Sequence, residues 1–181
     1  MRASAIIAFT GSLILAVAGA SAAGGSAQGP NDAQIAAIVA TANQVDINAA
    51  KLAKSKSTNP DVKAFAQLMI TDHSGVNKSA TELVNKLHVT PQDNPTSQSL
   101  KAGGEQNIAK LKSLKDAAFD KAYVGHEVAY HQQVIDALDN ALIPSAQNKE
   151  LKALLVKVRP AFVAHLEHAR HLHGKLAKSG G

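Results

Sequence analysis

Apolar residues recur at alternating spacings of three and four along four long stretches of this chain. Ile35, Ile38, Ala42, Val45, Ala49 and Leu52 mark the first stretch; Val62, Ala66, Met69, Val76, Ala80, Leu83 and Leu87 mark the second. Val124, Val128, Ile135, Leu138 and Leu142 mark the third, and Leu151, Leu155, Val158, Phe162, Ala169, Leu172 and Leu176 the fourth. That period puts one apolar stripe on each of four amphipathic helices. No segment shows the period of two that a half-buried strand requires.

Capping and breaking residues set the predicted ends. Asn31 or Asp32 caps the first helix, which ends over 56–58. Asn59-Pro60 supplies a cap followed by proline at the first helical position, opening a helix over 60–87. Residues 88–96 read as a turn-rich loop with two prolines, and 97–114 as a short helix weakened by Gly103-Gly104. The third long helix covers 116–142 and is broken by Pro144-Ser145; the last covers 147–178 and is expected to kink over 156–159, ahead of Pro160.

Stripes near a 3.5-residue period predict shallow, left-handed crossings. Short connections make the first two long helices, and the last two, antiparallel hairpins. The stretch between the hairpins is long enough to run the length of the molecule. The expected fold is all-α: a ferritin-like four-helix bundle over residues 32–178, with a crossover that carries the short helix.

Four polar residues interrupt the stripes. His73, His131 and His165 each fall on the apolar seam of a different helix, and Asp46 falls on the apolar face of a fourth. Polar groups pointed at a shared core are costly unless they satisfy one another or hold something. At 1.5 Å per residue, Asp46 and His73 differ in height by roughly 3 Å, whereas His131 and His165 differ by roughly 10 Å if the helices start level and run straight. Three imidazoles and one carboxylate suit a single borderline divalent ion, and zinc, copper, nickel or iron are the candidates. Asp72, Tyr123 and Glu127 are placed to orient the ligands. Met69, one turn before His73, reads as core.

Carboxylate-bridged di-iron bundles place glutamate three residues before histidine on two helices. Those positions hold Val128 and Phe162 here, which disfavours a di-iron centre. The alternative to a metal is a structural or interaction protein whose histidines form a hydrogen-bond network with Asp46, Glu127 and Tyr123. His168, His171 and His173 near the C-terminus read as solvated, dipole-favoured positions. His88 and His126 lie off the seams. No nucleophile–base pair, phosphate loop or zinc-protease motif is present.

Residues 1–22 read as a secretory signal peptide: Arg2, an apolar run over 5–17, then small residues to Ala22. Residues 23–31 form a flexible lead-in. The apolar run is too short for an ordinary membrane span, so no stable membrane insertion is expected after cleavage. With no cysteine in the chain, disulfides, thiolate sites and lipid attachment through cysteine are excluded, and the expected location is periplasmic or secreted. Loss of Arg2 takes the charge from 19 − 14 = +5 to 18 − 14 = +4. The lysines are scattered, and two Tyr and four Phe make no stacking platform, so nucleic acid is not an expected partner.

Four pieces of sequence, in order, carry a resemblance: Phe65-Ala66-x-x-Met69-x-x-Asp72-His73, Phe119-Asp120-x-Ala122-Tyr123, Val128-Ala129-x-His131-Gln132 and Pro160-x-x-x-x-His165-Leu166. Over residues 32–175 the chain resembles a widespread family of secreted bacterial proteins of unknown function, often labelled outer membrane proteins. The resemblance implies a ferritin-like fold and export, and it implies no activity. The family usually carries a glutamate in the first helix before a Leu-Ala pair; Asp46 takes that place ahead of Leu52-Ala53, with a side chain one methylene shorter.

Overall fold

A computed structural model describes residues 29–178. The predicted signal peptide and all but the end of the lead-in lie outside the described residues. Within them the protein is all-helical, with five long helices and no strand. These are α1 (Asp32–Lys56), α2 (Pro60–Lys86), α3 (Pro95–Ser113), α4 (Asp116–Ala137) and α5 (Lys149–Lys178).

Asparagine starts four of the five. Asn31 accepts the Gln34 amide at 2.9 Å while the Gln34 side chain takes the Asn31 amide, a reciprocal capping box. Asn59 and Asn94 cap α2 and α3, each followed by proline, and the Asn148 side chain accepts from the Glu150 and Leu151 amides at the head of α5. The expected start of α3 at 97 is therefore corrected. Asn94-Pro95 repeats the Asn59-Pro60 signal, and α3 begins at Pro95.

α1 and α2 form one antiparallel hairpin, and α4 and α5 form the other. Between them α3 runs parallel to α1 along its whole length. The Asn94 side chain donates to the Gln34 carbonyl at one end, and Lys56 donates to the Leu111 and Lys112 carbonyls at the other. The crossover thus carries a helix of 19 residues that spans the length of α1. Gly104 is what lets it lie close: a Cβ there would sit 2.8 Å from both Val45 methyl groups.

The helical backbone ends at Ser145, three residues past the expected end at 142. Helical backbone continues past α4 as a π-turn over Leu138–Leu142 and a last turn over Ile143–Ser145. Proline has no amide hydrogen to give to the preceding turn, and a wider turn is one way to absorb that. Pro160 lies inside α5, and the helix runs through it without interruption.

The buried apolar residues fall into two separate clusters. One joins Ala53, Phe65, Met69, Phe119, Val124 and Leu172; the other joins Ile35, Ile38, Ile135, Leu138, Leu155 and Phe162. Between them, at mid-height on α1, α2, α4 and α5, lies a buried polar layer of Asn43, Asp46, His73, Glu127, His131 and His165. No helix among the described residues is long and apolar enough to cross a membrane.

The two adjacent glycines of α3 are expected to respond in opposite ways. Gly104→Ala forces a methyl group into Val45 and should destabilise the fold by about 1–3 kcal/mol. Gly103→Ala meets nothing within 4 Å and should gain up to about 1 kcal/mol from helix propensity. Urea unfolding of the two variants checks this; equal effects would contradict the close approach of α3 to α1.

Candidate metal centre

The structure brings all four residues singled out from the sequence into one buried layer. Asp46 and His73 are each 1 % exposed, His131 is fully buried and His165 is 4 % exposed. The three imidazole centroids form a nearly equilateral triangle, with sides of 5.5, 5.3 and 5.4 Å. The large offset in height expected between His131 and His165 is absent. His131 precedes the end of the helical backbone at Ser145 by nearly the same stretch of chain as His165 follows the start of α5 at Lys149. The π-turn and the later start of α5 remove the mismatch.

Each histidine is held by one ring nitrogen. His73 donates from Nδ1 to the Asn43 Oδ1 at 2.7 Å, and Asn43 is itself fixed because its amide donates to the Val39 carbonyl. His131 donates from Nδ1 to the Glu127 carbonyl at 3.0 Å, one turn earlier on α4. His165 donates from Nε2 to the Asp72 carboxylate at 2.9 Å. These acceptors fix the tautomers. The other nitrogens, His73 Nε2, His131 Nε2 and His165 Nδ1, are buried lone pairs without a hydrogen-bond partner.

Two of those lone pairs, on His73 and His131, face the Asp46 carboxylate. Asp46 Oδ2 lies 3.2 Å from His73 Nε2 and 3.6 Å from His131 Nε2, and the donor within its reach is the Glu127 carboxyl when protonated. Glu127, 1 % exposed, belongs to the same layer; its Oε2 is unpartnered and lies 3.5 Å from His131 Nδ1. Ligand atoms of His73, His131 and His165 all lie within 4.8 Å of one another, as do those of Asp46, Glu127 and His131. Tyr123, fully buried on α4, adds a hydroxyl without a partner.

Burial dominates the electrostatics. It lowers His73 to about 2, with the neighbouring His131 and His165 adding to the effect, and lowers His131 to about 4. His165 is also lowered by burial, against the pull of Asp72. Burial raises Asp46, and it raises Glu127 well above the usual carboxylate range with Asp46 adding to the shift. The carboxyl pair therefore retains a proton, while the imidazoles stay neutral. Neutral imidazole nitrogens are the form that binds metal.

Asp72, expected to serve its neighbour His73, holds His165 instead. Glu127, expected as an orienting neighbour, reaches the cluster with its own carboxylate. Asn43 is not among the residues singled out from the sequence; its signal is an asparagine inside α1, about one turn before Asp46. Met69 is core, as expected. His168 and His171 are exposed, and His168 packs edge-on against Phe65.

A model of a domain of unknown function, DUF4142, matches residues 16–172. The chain belongs to the DUF4142 family. No curated protein and no solved structure matches it. Membership in this family leaves the functional reading to the site itself.

The metal-free protein should lose stability in mild acid. Folded His73, His126 and His131 titrate well below the 6.5 of an unfolded histidine, and His165 is also lowered. Their contribution is complete above pH 6.5 and is lost as pH falls through that value, because the unfolded chain then takes up protons that the folded one refuses. Asp46 and Glu127, raised in the fold, act in the opposite direction down to the 4.5 of an unfolded glutamate. Four histidines outweigh two carboxyls. Stability should fall by up to about 3 kcal/mol per pH unit between 6.5 and 4.5. Urea titrations of chelator-treated protein across that window check it, and a flat or rising profile would contradict the burial of neutral imidazoles.

Proposed function

We propose that this protein is an exported helical bundle of ferritin-like arrangement that binds one transition-metal ion through Asp46, His73, His131 and His165. Its role would lie in metal handling or stress protection, in the periplasm or outside the cell. The topology of two antiparallel hairpins joined by a lengthwise crossover supports the first part. Arg2, the apolar leader over residues 5–17 and the small residues that follow it support export.

One observation carries the metal reading. Three histidines from three helices each have the outer nitrogen hydrogen-bonded and the inner lone pair bare and buried within the layer that holds the carboxyls. Outer partners of this kind are what orient imidazoles around a metal. Ligands bound at 2.0–2.1 Å in a tetrahedron are separated by about 3.3 Å, and the approaches of Asp46 to His73 and His131, 3.2 and 3.6 Å, bracket that value. The donor set favours zinc, copper, nickel or iron over magnesium or calcium, which prefer shells of oxygen.

A second reading has its own observation. The proton retained between Asp46 and Glu127 can be donated to an imidazole, giving a polar core without metal. Elemental analysis of untagged protein purified without chelator separates the two. The metal reading expects about one equivalent of one transition metal, lost in His131→Ala. It also expects Asn43→Ala to weaken metal binding roughly 10–100-fold by freeing the His73 ring. Metal at a hundredfold excess over Kd should add about 2.7 kcal/mol of stability to the wild type and none to His131→Ala. Absence of metal, together with no uptake of zinc, copper, nickel or ferrous iron, would favour the hydrogen-bond network.

A further inference from the structure

A cavity of about 90 Å³ opens between α1, α3 and α4, on the side of the polar layer facing the second apolar cluster. Its inner wall is apolar: Ile38, Leu138, Leu142, Leu155 and Phe162 are all buried there. Thr96 and Gln133, both exposed, stand at the mouth. Two deeper polar side chains line it, and both are committed elsewhere. Tyr130 donates its hydroxyl to the Ala42 carbonyl at 2.9 Å, and Asn43 uses its amide on Val39 and its oxygen on His73.

Water in such a space needs two to four polar partners, and beyond the second Asn43 amide hydrogen and the Tyr130 hydroxyl oxygen the inner wall is apolar. A comparable engineered apolar cavity, of about 150 Å³, stays dry and takes benzene or xenon. The present volume suits something smaller. We infer that this cavity is a binding site for a small uncharged apolar molecule, from a diatomic gas to a hydrocarbon of a few carbons.

Two features separate it from a packing defect. Leu138 and Leu142, the first and last residues of the π-turn, both line it. Departures of this kind from α-helical geometry often mark functional sites. Phe162 and Asn43 form the wall toward the polar layer and also touch it: the Phe162 ring is 5.2 Å from the His73 ring and 6.2 Å from those of His131 and His165. An occupant would sit one side chain away from the histidine cluster. The inference holds whether or not the cluster carries metal.

Xenon is the probe, applied to the metal-free protein while the methyl resonances of Leu138, Leu142 and Leu155 are followed by NMR. Saturable shifts at those methyls are expected in the wild type, and they should be abolished in Ala42→Leu, which fills the cavity from α1. Ala137→Leu, half-buried on the α4 side, is the second filling variant and should abolish them as well. Absence of saturable shifts in the wild type would overturn the proposal. So would xenon shifts that persist unchanged in both variants.

Discussion

The middle of this bundle holds more hydrogen-bond acceptors than donors. Three bare imidazole nitrogens, both oxygens of Asp46 and one of Glu127 meet in a layer from which solvent is excluded. The ring donors that could have answered them are turned outward to Asn43, the Glu127 carbonyl and Asp72. A buried acceptor without a donor costs on the order of 1–3 kcal/mol. A cation held by His73, His131 and His165, or by Asp46, Glu127 and His131, would answer three of the acceptors at once, and a proton shared by two carboxyls answers fewer. The proposed function follows from that imbalance.

The surrounding fold supplies the rigidity this layer needs. Apolar clusters above and below hold the four helices in register, so each imidazole comes from a backbone packed on both sides. α3, pressed against α1 at Gly104, braces the helix that carries Asn43 and Asp46. The π-turn extends the α4 hairpin until His131 and His165 are level. Asp72 is the one anchor of the three that reaches solvent, with a side chain 38 % exposed.

Much of this is legible in the sequence, because helical periodicity records which residues face inward. A histidine on an apolar seam is a strong local anomaly, and three of them, with Asp46 on the remaining helix, mark the layer. Glu127 and Asn43 are harder to read. Glu127 lies off the hydrophobic seam, so its inward reach becomes visible only once α1 and α4 are docked. Asn43 stands out only as a polar residue within a helix. Relative heights escape the sequence for a physical reason: proline ordinarily ends a helix, and here a wider turn carries the helix onward. The start of α3 is recoverable, since Asn94-Pro95 repeats the grammar of Asn59-Pro60.

The central claim is that the inner nitrogens of three histidines are lone pairs arranged to take one metal ion. Long-range nitrogen–proton NMR of the histidine rings, before and after one equivalent of zinc, tests it most directly. The metal-free spectrum should show His73 and His131 protonated at Nδ1 and His165 protonated at Nε2. Zinc should then shift His73 Nε2, His131 Nε2 and His165 Nδ1 together, saturating at one equivalent. Different tautomers, or inner nitrogens indifferent to the metal, would contradict the account.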